Sequence, residues 1–379
     1  MSNRWPGKYV IGLTGNIATG KSVVRKMLEH LGAFGVDADA LSHQAIARGG
    51  PGYAPVVRLF GEWLLEADGS INRARLARIV FSDPETLARL EGIIHPLVGQ
   101  AIDYLVRRAR SPVVVVEAIK LLESGLGRDC DAVWTVHVPE AMQEARLMTK
   151  RHMLRAEAHQ RIAAQGSQAD KLRAARVTID NSGSFEDTWL QVQAAFNRIG
   201  RPGLAAQPAR SGGDGRLVSV RRGLPSDASA IAAFIRQATQ GRVTLARSEV
   251  MAAFGDKAYL LADYDGRLAA IVGWKVENLV ARVDELYVTP GAPVDRLVPP
   301  MLEVVETASK ELQSEAALVF VPLPLAEAAS QALAGSGFAR QAPDKLGVAA
   351  WVEAARDSQP AGSALLFKRL REDRVLRPI

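Results

Sequence analysis

Eight residues near the start of the chain, Gly15-Asn16-Ile17-Ala18-Thr19-Gly20-Lys21-Ser22, constrain the fold more than any other stretch. They match the pattern G-x-x-x-x-G-K-[ST], and both flanks suit it. Tyr9 to Leu13 is a short apolar run with β character that ends at Thr14-Gly15. Ser22 to Leu31 then carries Val23, Met27, Leu28 and Leu31 at helical spacing. Strand, glycine loop and helix make a nest where backbone N–H groups and the positive end of a helix dipole meet phosphate oxygens. Gly15 through Val23 would surround ATP, with Lys21 reaching the outer phosphates and the Ser22 hydroxyl as a Mg2+ ligand. The plain alternative is a glycine-rich turn that only starts a helix. The full octet with both flanks favours the phosphate site.

Further strands place acids near that loop. Ala33 to Val36 reads as a short strand ending at Asp37, followed by Ala38-Asp39. In an open α/β sheet, ligands sit beyond the carboxyl ends of the strands. Asp37 there could deprotonate a hydroxyl attacking a γ-phosphate, or bind the metal. Its structural alternative is an N-cap for a helix over Ala40 to Ala47, a role Asp39 fits better. Val113 to Val116 is a continuous apolar run, as in a buried parallel strand, and ends in Glu117, a candidate Mg2+ ligand. Ala132 to Val138 is the next strand and Val177 to Asp180 another, with Asn181-Ser182-Gly183 turning out of it.

Between these strands the chain is helical. Asn72 could cap Arg73 to Phe81, and Asp83-Pro84 starts the next helix. His95 precedes Pro96, which predicts an extended or turn conformation there. Arg73 and His95 are either substrate-side groups or, respectively, a solvated arginine and a helix-start histidine. The region 146–176 is basic and helical, with Arg146, Arg151, Arg155, Arg161, Lys171 and Arg173 among its charges. It reads as a closing lid whose arginines neutralise phosphoryl charge, against the commoner solvated charged helix.

Length and composition narrow the class. A chain of 379 residues suggests two domains. The net charge of +6 arises entirely before residue 217. A modest basic excess on the half with the loop suits an anionic nucleotide, and no basic-aromatic interleaving marks a nucleic-acid surface. Cys130 is the only cysteine, so no intramolecular disulfide can form, and a cysteine metal site is not expected. No apolar run spans a bilayer and no leader-like core opens the chain, so a soluble, cytoplasmic protein with no membrane partner is expected.

Residues 8–199 resemble the dephospho-coenzyme A kinase family. The resemblance is carried by IGLTGNIATGKS, VDAD at 36–39, RARLARIVF at 73–81, HP at 95–96, VVVVEAIKLLESGL at 113–126, Arg151, Gln165 and IDNSG at 179–183. It implies a P-loop NTPase parallel sheet with helices on both faces and a helical lid. It also implies phosphorylation of the ribose 3′-hydroxyl of dephospho-CoA by ATP with Mg2+, giving CoA and ADP. By that resemblance Asp37 is the base and Lys21 and Arg151 serve the phosphates. Asn181 and Gly183 lie at the adenine. Asp39, Arg73 and His95 lie on the acceptor side. Two departures stand out. Asn16 and Ala18 occupy positions usually held by Gly, and Ala tolerates left-handed geometry less than Asn does. Ile119-Lys120-Leu121 stands where the family reads Pro-Leu-Leu, so Lys120 could itself meet a substrate phosphate.

Residues 201–216 are rich in Gly, Pro, Ala and Ser without periodicity, and read as a flexible linker. From 217 on, the order of elements resembles the GNAT acyltransferase fold, an α+β domain. RRGLPSDASAI, VDELYVTPG and GSGF carry that likeness. It includes the strand VDELYV at 283–288, a hairpin turning at Asp265-Gly266 and a helix from Leu297 to Leu312. An active member binds the acyl-CoA pyrophosphate at the loop after VDELYV. Here Pro293, Pro299 and Pro300 remove N–H donors and Asp295 adds a repelling charge. That favours a non-catalytic or regulatory domain, with CoA or acyl-CoA as a possible ligand and Glu285 and Tyr287 as remnants of a site. Competing readings are a kinase for another nucleotide or small alcohol, a bifunctional kinase/N-acetyltransferase, and a CoA-responsive scaffold. The absence of an Asn-Lys-x-Asp motif speaks against a GTPase.

Overall fold

The computed structural model describes residues 4–80, 83–200, 210–211, 217–277, 279–312 and 314–371. The chain groups into two compact units. One joins the N-terminal stretch through Lys21 to Phe34–Ser182. The other joins Ser22–Ala33 to the chain from Gly183 onward.

The first unit is built on β1 (Tyr9–Thr14), β2 (Phe34–Asp37), β3 (Val113–Glu117), β4 (Ala132–His137) and β5 (Val177–Asp180). All pair in parallel in the order β2-β3-β1-β4-β5. Every residue of β3 is buried, as its unbroken valine run requires of a strand covered on both faces. The helix α1 (Lys21–His30) follows the glycine loop, and α2 (Ala38–Ala45) follows β2.

Asp37 is the N-cap of α2, its side chain accepting from the Ala40 N–H at 2.8 Å. The sequence assigned that cap more readily to Asp39, which instead sits in the first helical turn. The helix begins two residues earlier than its apolar pattern suggested, because strand β2 ends at the capping residue itself.

Then come α3 (Tyr53–Phe60), α4 (Arg73–Val80) and α5 (Pro84–Arg108). They enclose a core of Ile46, Val56, Leu64, Ile71, Leu76, Val80 and Leu90. Asn72 caps α4 through the Arg75 N–H at 2.8 Å, and Asp83 caps α5. The helix α5 runs straight through His95-Pro96, where a break was expected. A proline inside a helix costs about 3 kcal/mol. Val98, Ala101, Ile102 and Leu105, all buried beyond it, offset that cost.

Three helices, α6 (Glu140–Arg151), α7 (Arg155–Ala163) and α8 (Gln168–Ala174), separate β4 from β5. Leu147, Ala158 and Ile162 pack on Ile17 of the glycine loop.

The second unit holds an eight-stranded mixed sheet, with α9 (Phe185–Asn197) joining it in sequence. Its strands are β6 (Arg210–Ser211), β7 (Leu217–Arg222), β8 (Ala258–Tyr264), β9 (Arg267–Glu277), β10 (Val280–Val288), β11 (Ala316–Pro322), β12 (Ala339–Arg340) and β13 (Ser363–Arg369). Of the linker 201–216, only Arg210–Ser211 is described, and the rest lies outside the described residues. Asp265 and Gly266 both have positive φ, 50° and 76°, as the β8–β9 hairpin turn demands. Among the described strands of this sheet, only β10 and β11 run parallel, pairing from Val280↔Ala316 to Val283↔Val319.

Helices α10 (Ala228–Ala238) and α11 (Arg247–Ala253) cover one face through Ile231, Phe234, Ile235, Val250 and Phe254. The helix α12 (Val294–Glu311) covers the other through Leu297, Met301, Leu302 and Val305. The short helices α13 (Leu323–Ala328) and α14 (Ser330–Gly335) and the longer α15 (Ala349–Ser358) complete the unit. One expectation is corrected here. The helix α12 begins at Val294, with Pro293 as its N-cap, and Pro299 and Pro300 lie inside it. Those two therefore leave the first-turn N–H groups in place.

Within this unit the loop-following helix is firmly held. His30 Nε2 lies 2.8 Å from the Phe254 carbonyl oxygen, and Arg222 Nη1 donates to the Glu29 carbonyl at 3.1 Å. Arg247 forks onto Glu186 of α9 with two hydrogen bonds of 3.0 and 3.1 Å. Among the described residues, no helix is long and apolar enough to cross a membrane.

Candidate active site

The glycine loop takes its shape from close approach. Gly15 has φ 147°, and a Cβ there would lie 2.3 Å from the Val136 carbonyl oxygen. Gly20 has φ 93°, and a Cβ would lie 2.1 Å from Asn181 Nδ2. Neither position accepts a side chain. Ala18, with φ 60°, adopts the left-handed geometry. That conformation costs an L-residue about 1 kcal/mol. The Thr19 hydroxyl donates to the Asn16 carbonyl at 2.8 Å, and Lys21 Nζ to the same oxygen at 3.2 Å.

Side chains from later in the first unit hold the loop from outside. Asn181 Nδ2 donates to the Thr19 carbonyl at 2.8 Å. Arg146 donates to the carbonyls of Ala18 at 3.1 Å and Asn181 at 2.8 Å. Gln165 Oε1 accepts from the Ile17 N–H at 2.7 Å, and Gln168 Oε1 from the Asn16 N–H at 3.1 Å. Gln165 entered the sequence analysis only through a resemblance, and Gln168 not at all. Gln168 and Lys171, three apart on α8, share one side of that helix, while Gln165 lies in the connection from α7.

The acids converge by strand register. Asp37 stands opposite Glu117 on neighbouring parallel strands, and Leu13 stands opposite Glu117 on the other side. Lys21 is 6% exposed. Burial pulls its pKa down; Glu117, Asp39 and Asp37 oppose that, while Lys171 adds to it. Asp39 is pushed up to about 6, by burial first and the Asp37 charge second, and its Oδ2 accepts from the Ile119 N–H at 3.3 Å. A buried cation within electrostatic reach of three carboxylates is a place where phosphate charge can be exchanged for side-chain charge.

The remaining candidates are scattered. Arg73, exposed on α4, acts electrostatically on His43, which also faces Asp37; burial and Arg73 lower the His43 pKa. His43 was not singled out from the sequence. His95 is exposed on α5. Lys120 pairs with Glu91 at 2.5 Å rather than with the acid cluster. Ser22 and Val23 open α1, and Gly183 lies in the turn before α9, where a Cβ would meet Asp187 Oδ2 at 2.9 Å. Arg151 ends α6, and its side chain lies outside the described residues. Of the basic stretch, Arg155, Arg161 and Arg173 are exposed and pair with Glu144, Glu157 and Asp170, while Lys171 is buried.

Parts of this chain are similar to known proteins. Residues 9–187 match the family model described as dephospho-CoA kinase. A dephospho-CoA kinase of Symbiobacterium thermophilum is 44% identical over 203 residues, covering 53% of this chain and 84% of that protein. A solved structure from Thermus thermophilus is 32% identical with a TM-score of 0.47, covering 51% of this chain and 98% of its own. A putative acetyltransferase from Salmonella typhimurium, solved with its cofactor acetyl-CoA, covers 41% of this chain and 95% of its own, at 13% identity and a TM-score of 0.32. Through the identity and coverage of the Symbiobacterium relative, this chain belongs to the dephospho-CoA kinase family.

Proposed function

We propose that the first unit transfers the γ-phosphoryl group of ATP to the ribose 3′-hydroxyl of dephospho-CoA, releasing ADP and CoA. The observation that carries this is Asp37 and Glu117 in register at one sheet edge, with buried Lys21 at the end of the glycine loop electrostatically coupled to both and to Asp39. Asp37 accepts the hydroxyl proton as the 3′-oxygen bonds to Pγ and the bond from Pγ to the β-phosphate oxygen breaks. One carboxylate oxygen is engaged at the Ala40 N–H, which fixes the group's orientation. Lys21 balances charge on the β- and γ-phosphates, and Arg151 approaches them from the lid. Asn181 and Gly183 border the adenine. Arg73, with His43 beside it, and His95 face the acceptor, and Lys120 reaches it by leaving Glu91.

The donor set suits Mg2+, a hard cation that takes oxygen ligands. Ser22 and Glu117 would supply hydroxyl and carboxylate oxygen. Among the described residues no group of three or more His, Cys, Asp or Glu forms a metal cage, so most ligands would come from nucleotide and water. Bound there, the ion would supply positive charge that offsets the phosphate oxygens.

The second unit is read as a non-catalytic GNAT-like domain, with CoA or an acyl-CoA as its candidate ligand. Asp295 occupies the first turn of α12, where a pyrophosphate would be received. Glu285, read as a remnant of a site, is engaged by Lys257 Nζ at 2.8 Å, and Asp284 by the same ammonium at 2.9 Å.

A coupled ADP-release assay with dephospho-CoA against other nucleosides and small alcohols tests the first reading. Turnover restricted to dephospho-CoA is expected; equal turnover with another alcohol would replace the assignment. Acetyl-CoA with an amine panel tests the second, and acetyl transfer surviving Lys21→Ala would make the protein bifunctional.

A further inference from the structure

Among the described residues of the first unit, Lys171 on α8 is the least exposed charged residue, at 1%. A buried ammonium is expensive, and a packed apolar side chain usually serves stability as well or better. Its contacts indicate why a lysine stands there. Nζ donates to Asn16 Oδ1 at 3.1 Å and to the Ile119 carbonyl at 3.0 Å, and lies 3.6 Å from Glu123 Oε1. One ammonium thus joins the glycine loop to the loop after β3.

The Ile119 peptide is itself a junction. Its carbonyl also accepts from the Thr14 hydroxyl at 3.2 Å, and its N–H donates to Asp39. On the other flank, Gln168 Nε2 donates to the Val136 carbonyl at 3.3 Å while its Oε1 holds the Asn16 N–H. The Thr135 hydroxyl anchors the Lys171 carbonyl at 2.9 Å. The segment 165–171, the connection from α7 and the first turn of α8, therefore reads the shape of the glycine loop with three side chains, and of these Lys171 also touches the segment next to Asp39 and Lys120.

The geometry points to Lys171 as a positioning residue that couples the two substrate sites: nucleotide ordering the glycine loop also orders the Ile119 loop, and the acceptor does the reverse. This rests on the proposed reaction, in which one loop serves ATP and the other faces dephospho-CoA. Lys171 contacts neither reacting atom. Its effect is a coupling free energy, equal in both directions by linkage.

The test uses the full chain with Lys171→Met and Lys171→Arg. Affinity for a non-hydrolysable ATP analogue is measured with and without dephospho-CoA, and the reverse. In the wild type each ligand should tighten the other by at least about fivefold, the lower range of such couplings. Lys171→Met should bring that factor to about one, and Lys171→Arg should recover part of it. A folded Lys171→Met with undiminished coupling overturns the proposal, since a merely structural lysine would lower the melting temperature and leave coupling intact. Should Lys171→Met fail to fold, Gln168→Leu removes a latch bond without stranding a charge and should also reduce the coupling; unchanged coupling counts against the proposal.

Hydrogen exchange separates this from failure of the reaction assignment. With the ATP analogue alone, amides after Ile119 should gain protection in the wild type and not in Lys171→Met. That contrast holds even if dephospho-CoA proves not to be the acceptor, and equal protection in both chains refutes the link.

Discussion

Asp37 and Glu117 end adjacent parallel strands at the same register position, so two acids from distant parts of the sequence reach one edge of the sheet together. Asp37 also caps α2, which could mask its chemical role in a crude substitution. Asn caps a helix about as well as Asp does. Asp37→Asn should therefore melt within a few degrees of the wild type while kcat falls at least about 100-fold, the usual range for loss of a general base. Asp37→Ala should lose the same activity and a further ~1 kcal/mol of stability. Steady-state ADP release and thermal melting on both variants decide it, and wild-type turnover in Asp37→Asn would remove the residue as base.

Asp39 predicts a pH-dependent gain. Its pKa is raised, to about 6, by burial and the Asp37 charge. Between its ordinary value and that figure the folded chain keeps a proton that the unfolded chain releases. Its favourable contribution is complete at acid pH and is lost as pH rises through about 6. Asp39→Asn, which can still accept from the Ile119 N–H, should then be more stable than wild type at pH 8, by on the order of 2 kcal/mol, with little difference at pH 4. Denaturant unfolding of the ligand-free chain at the two pH values measures this, and equal differences at both would refute it.

Much of this arrangement is legible before any coordinates. The octet at Gly15–Ser22, the strands ending at Asp37 and Glu117, and the caps at Asn72 and Asp83 follow from local pattern, because each depends on neighbours within a few residues. What failed was decided at longer range. His95-Pro96 reads as a break, but the buried face of α5 beyond it outweighs the proline. Asp37, not Asp39, caps α2 because the end of β2 is fixed by pairing with β3. Lys171 and Arg146 look like two charges among many; that their side chains reach loop carbonyls and Asn16 depends on helices more than a hundred residues beyond the loop in sequence.

In the second unit, Lys257 answers two carboxylates at once, and its own pKa records the balance. Burial presses it down, yet Glu285 and Asp284 outweigh burial and the net shift is upward. The Tyr287 phenol nearby is pushed up to about 12, by burial and the Glu285 charge. Lys257→Met leaves both acids without their cation and should destabilise the protein by about 3 kcal/mol, as breaking a buried pair does. Adding Asp284→Asn and Glu285→Gln should return most of that loss. Chemical denaturation of the single and triple variants measures it. A free, catalytically poised Glu285 would instead make Lys257→Met tolerated and the glutamate change costly for acetyl transfer.

The last prediction concerns His30, buried in the second unit with Phe254 edge-on at 5.3 Å between ring centroids. Its Nε2 faces a carbonyl oxygen, so that nitrogen carries the proton in the neutral ring. Its pKa is lowered to about 3, by burial first and the Arg222 charge second, against opposing effects from the Phe254 carbonyl and Glu29. Below its ordinary value the unfolded chain takes up a proton that the folded chain refuses. The stability His30 confers is complete above about pH 6.5 and is lost as pH falls toward 3, at about 1.4 kcal/mol per pH unit. Glu29 is the competing group: burial raises its pKa, but Lys26, Arg25 and Arg222 bring it to about 2. Its window therefore opens only below about pH 4.5, the ordinary value for a glutamate. Between pH 6.5 and 5 the wild type should lose about 2 kcal/mol to this histidine. His30→Gln can keep a donor toward the Phe254 carbonyl without titrating, and should flatten that slope. Parallel slopes for the two proteins in urea unfolding across this range would show that His30 is already charged or solvated in the folded state.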